Sequence, residues 1–417
     1  MKEQLYILKR KIKAFGNSLC FYVCRVFPIK QNKIAVCTFE GKGGFGCNPK
    51  YIVEELYRRN NDYEFVWFLN DTSKEFPQYI KKVPNNLWSR AYHLSTAKVW
   101  IDNYRKPLGT KKRKGQYYLN TNHFTIGIKC TGLNRGAGFS EMARLVNQND
   151  SNMMDALITD SDWCEKSSPK GMLFSGPYLR TGAPRCDVLY GNRERHKALF
   201  REKHTIPGNA KVMMFAPTFR EGAKDGKRFV YSETWTLDFK RLINNLEKKF
   251  GGEWYICIRV HPQLAPSFKE YNNSDIQSRL IDESQADDMY EILAGMDAYI
   301  TDYSSACFEA GFTRMPVFIY ADDIKKYATD RGSLMWNIAT DLLDHVTNNK
   351  NVMPDFDEVF PFSISEDNAS LEKEILEFDE IKYWDRLDRF YQDVGLVFDG
   401  NGSKKVVDVL TDYIAMV

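Results

Sequence analysis

The chain has 417 residues and a formal net charge of +3 at pH 7. That length accommodates two domains of ordinary size, and 43% hydrophobic with 27% charged residues describes a globular protein. So small a net charge does not indicate nucleic-acid binding, and we expect no nucleic-acid partner. The nine cysteines include no CxxC pair and no Cys/His cluster with zinc spacing, so we expect buried thiols in a reducing compartment and no metal site.

Residues 1–28 form a segment of their own, which the sequence predicts to be an amphipathic helix. Its apolar stripe repeats at spacings of three and four and consists of Leu5, Leu8, Ile12, Phe15, Leu19, Tyr22 and Val26. Basic residues cover the rest of the first turns, and Pro28 ends the helix. This pattern favours a helix that lies in an anionic membrane surface; the alternative is a helix that packs on its own protein or on a partner. No apolar stretch is long enough to span a bilayer.

After Pro28, short apolar strands alternate with helical stretches, which predicts two α/β domains with mostly parallel sheets. The strands predicted for the first domain are Lys33–Phe39, Glu64–Phe68, Lys98–Ile101 and Tyr117–Thr121. Those predicted for the second are Lys211–Phe215, Trp254–Val260, Ala298–Thr301 and Pro316–Tyr320. A charged stretch between them places the domains at 29–195 and 196–417. Two Rossmann-like domains facing each other across a cleft are the layout of a GT-B-type transferase.

Four polar runs directly follow predicted strands, where open α/β sheets bind their ligands. They are Asn122 to Thr125, Ala216 to Arg220, Arg259 to Pro262 and Thr301 to Ser305. Each run on its own is typical of an ordinary strand terminus or helix cap. Together they offer hydroxyls, backbone N–H groups and cationic side chains at four strand ends, which predicts a phosphate-rich ligand.

Two of these runs carry particular chemistry. Arg259 and His261 lie two residues apart at a strand end, so their side chains point the same way and can both donate to phosphate oxygens. His123 follows another strand, and an imidazole with a pKa near neutral can remove a proton from an alcohol. The alternative for His123 is a structural or surface histidine.

Six runs occur in an order that resembles the signature series of the CDP-glycerol glycerophosphotransferase family, the teichoic acid primases and polymerases. They are Gly115 to His123, Thr181 to Asp187, Ala216 to Arg220, Arg259 to Pro262, Thr301 to Ser305 and Asp330 to Gly332. The resemblance extends from about Lys33 to the C-terminus. Its most specific part is the run Thr301 to Ser305, which is followed by a helix and a further strand.

The resemblance implies a GT-B-type enzyme at the cytoplasmic face of the cell membrane, bound peripherally, with no metal and no cofactor. It implies transfer of glycerol phosphate, or a related polyol phosphate, from a CDP-polyol to a hydroxyl of a lipid-linked or polymer acceptor in teichoic acid or capsule-type synthesis, with release of CMP. The first α/β domain would then serve the acceptor, and the second would bind the CDP-polyol.

The site residues follow from the same resemblance and from the strand-end runs. His123 matches the family's base and His261 joins it in the predicted catalytic set. The positions that match donor contacts are Arg185, Pro217, Thr218, Arg259, His261, Ser304, Ser305 and Asp330. Asn122, Thr125 and Arg220, which belong to the strand-end runs, complete the predicted substrate-binding set.

One run departs from the family pattern. Where the family usually has Trp-His-Gly-Thr-Pro, this chain has Asn122, His123, Phe124, Thr125 and Ile126. The histidine and the threonine are retained, but the tryptophan and the glycine are replaced. The departure bears on the polyol and the acceptor more than on the type of reaction.

Other functions share some of these features. A GT-B nucleotide-sugar glycosyltransferase of surface polysaccharide synthesis is the main alternative, and a non-catalytic polymer-binding protein is another. A metal-dependent GT-A enzyme would use an Asp-x-Asp pattern such as Asp160–Asp162 or Asp355–Asp357, but this pattern is common by chance. The basic run Arg105–Lys114 lacks interleaved aromatics, so we interpret it as a solvated loop or a membrane-facing patch rather than an RNA site.

Overall fold

A computed structural model of the chain describes residues 2–124, 126–218, 220–224, 227–231, 236–260, 275–324, 326–327, 334–337, 347–353 and 360–416. The chain divides into two compact units. The first consists of Met1–Thr125, Thr131–Asp187 and Leu396–Val417, and the second of Ile126–Cys130 and Val188–Gly395. The chain therefore returns to the first unit at Leu396, whereas the sequence placed everything after residue 195 in the second domain.

The helices follow the apolar periodicity of the sequence. In chain order those of the described residues are α1 (Lys2–Val23), α2 (Cys47–Arg59), α3 (Leu87–Thr96), α4 (Glu141–Ser151), α5 (Asp162–Gly171), α6 (Asp187–Tyr190), α7 (Arg193–Lys203), α8 (Phe239–Phe250), α9 (Met289–Ala294), α10 (Ala306–Gly311), α11 (Asn368–Leu376), α12 (Glu380–Asp393) and α13 (Gly402–Ala415). Several begin at a side-chain cap: Ser161, for example, accepts a hydrogen bond from the Cys164 N–H at the start of α5.

The strands form two large sheets and two small ones. The first sheet contains β1 (Lys30–Cys37), β2 (Glu64–Leu69), β3 (Ile80–Pro84), β4 (Ala97–Asp102), β5 (Tyr117–Asn120), β6 (Ala156–Thr159) and β7 (Tyr178–Arg180). The second contains β8 (Lys211–Phe215), β11 (Trp254–Ile258), β12 (Leu280–Asp282), β13 (Ala298–Thr301), β14 (Val317–Tyr320) and β17 (Ile364–Ser365). The remaining pairs are β9 (Arg220–Lys224) with β10 (Lys227–Tyr231), and β15 (Trp336–Asn337) with β16 (Thr347–Asn348).

Both large sheets are parallel, and their strand orders follow the same doubly wound pattern. The first has the order β3-β2-β1-β4-β5-β6-β7 and the second has the order β12-β11-β8-β13-β14-β17. In each, the order reverses beside the first strand of the sheet, as in a doubly wound fold. The switch point lies between β1 and β4 in the first unit and between β8 and β13 in the second. Ligands of such sheets bind at the carboxyl ends of the strands at this point.

The first sheet is covered on both faces because alternate residues of its strands point in opposite directions. Ile34 and Val36 of β1 pack in one core with α2 and α13. Ala35 and Cys37 pack in the other with α1 and α3. Helix α13 belongs to the first unit because Val406, Val407 and Leu410 are fully buried in the first of these cores.

The second sheet has its own core. Met213 and Phe215 of β8 and Ile256 and Ile258 of β11 pack there with the apolar residues of α8 and α11. Phe308 of α10 stacks on Phe390 of α12, with ring centroids 5.3 Å apart. The apolar stripes of these helices are therefore used within the second unit.

Helix α1 packs through a stripe other than the predicted one. Its buried residues are Ala14, Ser18, Phe21 and, in the short turn that follows, Cys24. The Ser18 hydroxyl donates to the Gly109 carbonyl oxygen over 3.0 Å. At Gly109 (φ +95°) a Cβ would lie 2.4 Å from the Ala14 carbonyl oxygen, so the close approach of this loop to α1 requires glycine. All seven residues of the predicted stripe are between 49% and 78% exposed.

The predicted strands agree closely with the observed ones. Lys211–Phe215 and Ala298–Thr301 have the predicted bounds, and the other six predicted strands differ from the observed ones only at their ends. The sequence did not predict β3, β6, β7, β12 or β17, because these strands are short and mostly lie at the sheet margins. The predicted C-terminal helical segment is two helices, α12 and α13, with the loop at Gly400 between them.

The cysteines and the helices agree with the predicted globular character. None of the nine cysteines forms a disulfide within the described chain, and all but Cys20 are buried. Burial raises the pKa of the thiols of Cys37, Cys164 and Cys257, which keeps them protonated as small apolar groups. None of the described helices combines the length and the apolar composition that crossing a bilayer requires.

Candidate active site

The switch point of the second unit brings two of the predicted polar runs together. β8 pairs with β13, so the residues that follow the two strands are neighbours. The Thr218 N–H donates to Asp302 Oδ1 over 2.8 Å, and the Thr218 hydroxyl donates to Asp302 Oδ2 over 3.1 Å. The Thr301 hydroxyl also donates to the Ala216 carbonyl oxygen, over 2.6 Å. The two strand ends therefore form one hydrogen-bonded surface.

Arg220 is held inside this surface by two carboxylates. Its Nη1 donates to Asp302 Oδ2 over 2.9 Å, while Nε and Nη2 donate to the two oxygens of Asp323 over 2.7 and 2.8 Å. The guanidinium also lies against the rings of Tyr303 and Tyr327, which are stacked with centroids 3.9 Å apart. Arg220 is buried, and its charge is balanced by aspartates rather than left for a ligand.

The pKa of Asp323 agrees with its pairing with Arg220. Burial alone raises the pKa of this carboxyl, but the hydrogen bonds and the charge of Arg220, with the Tyr303 hydroxyl, outweigh it and hold the pKa below its usual range. The Tyr303 hydroxyl donates to Asp323 Oδ1 over 2.8 Å. The sequence did not single out Asp302, Tyr303 or Asp323 individually. Asp302 and Tyr303 lie in a run that it did identify, whereas no sequence signal marks Asp323.

Arg259 differs from Arg220 in its partners. It follows β11, and its Nη1 and Nη2 donate to the carbonyl oxygens of Glu283 and Ala286 over 2.5 and 2.6 Å. Burial lowers the pKa of this guanidinium. Carbonyl oxygens carry only partial charge, so Arg259 keeps a net positive charge beside the end of β11. This is a suitable residue for a phosphate group.

The serines of the next run begin helix α10. The Ser304 hydroxyl accepts from the Ala306 N–H over 3.3 Å. Ser305 occupies the cap position but makes no capping hydrogen bond through its side chain. Ser304, Ser305, Pro217 and Thr218 are all half-buried, so each has a surface that solvent or a ligand can reach.

His123 lies at the end of β5 in the first unit, on a tight turn. Asn122 has φ +51°, a left-handed conformation that asparagine adopts more readily than most residues. Its side-chain oxygen accepts from the His123 N–H over 2.9 Å, and Asn122 itself is buried. The asparagine at this position therefore shapes the turn that presents the histidine.

The imidazole of His123 is oriented by the loop that follows β4. Its Nδ1 lies 2.9 Å from the carbonyl oxygen of Asn103. A carbonyl oxygen only accepts hydrogen bonds, so Nδ1 carries the hydrogen and Nε2 of the neutral ring has the basic lone pair. The Asn103 side-chain oxygen accepts from the Phe39 N–H over 2.8 Å, which ties this loop to the turn after β1. A histidine held in this tautomer is suited to act as a general base.

Three aromatic rings surround the imidazole. The ring centroids of Phe39, Tyr104 and Phe124 lie 5.4, 5.5 and 5.4 Å from that of His123. Phe124 stands perpendicular to the imidazole, at the position where the family pattern has glycine. The departure from that pattern therefore adds a packed ring beside the histidine.

Arg185 and Asn48 donate hydrogen bonds to the backbone of the same turn. Arg185 is buried, and its Nη1 donates to the His123 carbonyl oxygen over 2.7 Å. Asn48 Nδ2 donates to the carbonyl oxygens of Thr121 and Asn122, while its Oδ1 accepts from the Arg185 N–H. Arg185, predicted to contact the donor, is thus in contact with the backbone of the histidine turn.

The predicted site residues fall into three groups. Asn122, His123 and Arg185 are together in the first unit, and Pro217, Thr218, Arg220, Arg259, Ser304 and Ser305 lie at neighbouring strand ends of the second. Thr125, His261 and Asp330 lie outside the described residues. Sequence reasoning missed Asn103, although it directly follows β4 and the strand-end rule could have found it. Among the described residues no group of three or more His, Cys, Asp and Glu could hold a metal ion.

Two doubly wound α/β units, each with polar side chains at the carboxyl ends of its strands, define a protein built to bind ligands at those ends. The chain belongs to the CDP-glycerol:poly(glycerophosphate) glycerophosphotransferase family, whose model matches residues 19–412.

Individual relatives agree with this assignment. The chain is 26% identical over 420 residues to a teichoic acid poly(glycerol phosphate) polymerase of Staphylococcus epidermidis, covering 97% of this chain and 53% of that protein. It is 23% identical over 423 residues to the polymerase of the same name from Bacillus spizizenii, covering 98% of this chain and 100% of the relative. The chain thus spans about half the length of the first relative and all of the second.

A solved structure shares the fold. A variant of the wall teichoic acid polymerase TagF superposes with a TM-score of 0.75 at 25% identity, covering 98% of each chain. Another TagF variant, 23% identical to this chain, was solved after a soak with CDPG.

Proposed function

We propose that this protein transfers glycerol phosphate, or a related polyol phosphate, from a CDP-polyol to a hydroxyl of a teichoic acid or capsule-type acceptor. The observation that carries the proposal is the His123 tautomer, because the Asn103 carbonyl oxygen holds the hydrogen on Nδ1 and places the basic lone pair on Nε2. Membership of the family supplies the donor class. We further propose that the two units are the acceptor and donor halves of a GT-B-type enzyme.

The reaction is one displacement at phosphorus. The acceptor hydroxyl loses its proton to Nε2 of His123, and its oxygen forms a bond to the β-phosphorus of the CDP-polyol. The bond from that phosphorus to the oxygen of CMP breaks, and CMP leaves with the electron pair. Catalysis of this kind rests on positioning and on stabilising charge at the phosphoryl oxygens.

The second unit supplies the donor site in this proposal. Arg259 brings a positive charge whose hydrogen bonds go to carbonyl oxygens, with Glu283, Asp287 and Asp288 acting on it from nearby. Thr218, Ser304 and Ser305 bring hydroxyls to the adjacent strand ends. Arg220 contributes indirectly, because it holds Asp302 and therefore the Thr218 turn. His261 and Asp330 are proposed as further donor-site residues on the family pattern alone.

A donor panel tests the function. Purified protein is incubated with CDP-glycerol, CDP-ribitol, UDP-sugars or GDP-sugars and a lipid-linked acceptor, and the products are identified by mass spectrometry. We expect CMP release and an acceptor heavier by whole polyol phosphate units, with CDP-polyols only. Transfer from a UDP- or GDP-sugar instead would favour the glycosyltransferase alternative.

We also propose that α1 binds the cytoplasmic face of the membrane. The predicted apolar stripe is exposed, whereas the buried stripe of Ala14, Ser18 and Phe21 attaches the helix to the first unit. An exposed apolar row with lysines beside it suits the boundary between lipid headgroups and acyl chains. Such a position would bring the enzyme to a lipid-linked acceptor.

A further inference from the structure

The switch point of the first unit holds a recess that none of the predicted site residues lines. It lies between β2 and the loops after β1, β3 and β4, closed on one side by α3. The recess is small and opens to solvent. Its charged and amide-bearing lining residues are Glu40, Asn85, Arg90, Asp102, Arg105 and Lys106.

Two arginines of this recess have no carboxylate partner within the described chain. Arg90 Nη1 donates to the backbone and side-chain oxygens of Asn85 over 3.1 and 3.0 Å. Arg105 Nη2 lies 3.9 Å from the Met172 sulfur. Both side chains are half-buried, and burial lowers the pKa of each guanidinium. A partly desolvated cation without a counter-charge is stabilised by any anion that reaches it.

The other charges of the recess do not remove this surplus. Lys106 Nζ is 2.6 Å from Asp102 Oδ2, and these two buried groups balance each other. Glu40 is the remaining carboxylate of the lining, and its side chain is exposed to solvent. The lining therefore has two cations outside ion pairs, Arg90 and Arg105, against one exposed carboxylate. Asp150 acts on Arg105 from outside the lining, and burial raises the pKa of its carboxyl to about 7.

The recess shares its loops with the histidine. Arg105 lies two residues after Asn103, whose carbonyl oxygen orients the His123 ring. Glu40 follows Phe39, whose ring packs against the imidazole. In a polymer of polyol phosphates, the terminal hydroxyl is separated from the nearest phosphate by a single polyol. An acceptor whose hydroxyl reaches His123 would therefore carry a phosphate into this neighbourhood.

We propose that the recess is a phosphate subsite in which Arg105 and Arg90 bind the last phosphodiester of the acceptor. This inference rests on the proposed function for the identity of the ligand, but the cationic recess itself does not depend on it. Such a subsite would make the enzyme favour an acceptor that already ends in a polyol phosphate over a bare alcohol.

Binding is tested first without turnover. sn-Glycerol 3-phosphate is titrated calorimetrically into protein saturated with CMP, so that the proposed donor site is occupied. We expect binding to the wild-type protein, weakened about tenfold or more in Arg105→Gln and in Arg90→Gln, because each change removes a charge-assisted contact. Arg105→Lys keeps the positive charge but lacks the planar guanidinium, so its affinity should fall less than that of Arg105→Gln. Glu40→Gln should bind more tightly, a change in the opposite direction that a loss of folding does not produce.

The matched control is Arg58→Gln. Arg58 lies in the same unit, is exposed and pairs with Glu55, so its replacement should leave the affinity unchanged. Equal affinity of Arg105→Gln and wild type, with both proteins folded by circular dichroism, would overturn the proposal.

Kinetics then identify the source of the phosphate. With a phosphate-terminated acceptor, Arg105→Gln should raise the acceptor KM about tenfold while the donor KM stays the same. If Arg105→Gln instead detaches the protein from anionic vesicles and leaves the acceptor KM unchanged, the ligand is a lipid headgroup and the proposal is wrong. If no CDP-polyol is turned over by the wild type but binding still depends on Arg105, the subsite stands and the proposed function fails.

Discussion

The two sheets have the same topology, but the charged residues at their switch points are paired differently. In the second unit, Asp302 follows β13 and, with Asp323, neutralises Arg220. In the first, Asp102 ends β4 and pairs with Lys106, while Arg105 beside it forms no ion pair with a carboxylate of the described chain. An arginine at a strand end is therefore available to an anion only where the neighbouring carboxylates leave it unbalanced. By this criterion Arg259 and Arg105 are the candidates, and Arg220 is not.

The histidine turn shows a further difference between the units. The contacts given for the His123 ring are the Asn103 carbonyl oxygen and three aromatic rings, while the Arg185 guanidinium binds the backbone of the turn. Around Arg220 the contacts are ionic. We therefore expect changes in the first unit to affect turnover and changes in the second to affect stability or donor binding.

The largest expected effect is that of His123→Ala. Loss of the base should lower turnover by about 10²–10⁴-fold and leave donor affinity nearly unchanged. Steady-state kinetics and calorimetric titration with CDP-glycerol measure the two quantities. His196→Ala, on helix α7 of the second unit, is the control and should turn over normally. Near-normal turnover in His123→Ala would remove the histidine from the mechanism.

Next is Asp323→Asn, which keeps the shape of the side chain and removes its charge. Because the buried Arg220 would lose one of its two counter-ions, we expect the free energy of unfolding to fall by about 3 kcal/mol. Urea denaturation measures this. Asp388→Asn breaks an exposed pair with Arg314 and should cost less than about 1 kcal/mol. Equal losses of unfolding free energy in the two variants would mean that the cluster around Arg220 contributes no more to stability than an exposed ion pair.

The same variant has a defined pH dependence. The pKa of Asp323 is lowered in the folded protein, so its contribution to stability is present above the ordinary aspartate pKa of about 3.9 and is lost as the pH falls below it. The difference in stability between wild type and Asp323→Asn should therefore shrink in acid.

Arg259→Ala tests the donor side. We expect CDP-glycerol affinity to fall by about 1.5–3 kcal/mol, more than in Ser305→Ala, because the arginine contact is charge-assisted. CMP, with one phosphate, should be less sensitive to both changes. Some stability should also be lost, since the carbonyl oxygens of Glu283 and Ala286 lose their donor. Unchanged donor affinity in folded Arg259→Ala would show that the residue only holds this loop.

A smaller effect is expected at α1. Ile12 and Phe15 are 64% and 68% exposed, so replacing both by serine should leave the fold intact. Binding to anionic vesicles should weaken about tenfold or more, because burial of a large apolar side chain is worth about 1.5–3 kcal/mol. Raised salt should weaken the wild-type binding as well. Ile381→Ser, an equally exposed change on α12, is the control, and vesicle binding unaltered by the double substitution would favour a helix that serves a protein partner.

No effect at all is expected from chelation. The predicted donor site uses basic and hydroxyl groups, so activity should survive EDTA. Complete loss of activity that Mg²⁺ or Mn²⁺ restores would favour the metal-dependent alternative with its Asp-x-Asp pattern.

The sequence alone determined the strands that end at the site and the types of residue that follow them. Lys211–Phe215 and Ala298–Thr301 were predictable because short apolar runs bounded by polar residues fit a buried parallel strand. It also placed His123 at a strand end and found the apolar stripe of α1, since both depend on local periodicity.

Only the tertiary structure decided which charges are balanced and which elements meet. Nothing in the spacing of Arg220 distinguishes it from Arg259, because the aspartate that binds Arg220 most extensively, Asp323, lies 103 residues away along the chain. The stripe of Val406, Val407 and Leu410 predicts a buried helix but not that it joins the core of the first unit. The hydrophobic effect is non-directional, so an apolar stripe can be buried in any core of matching shape. Contacts between residues far apart in the sequence determine which core that is.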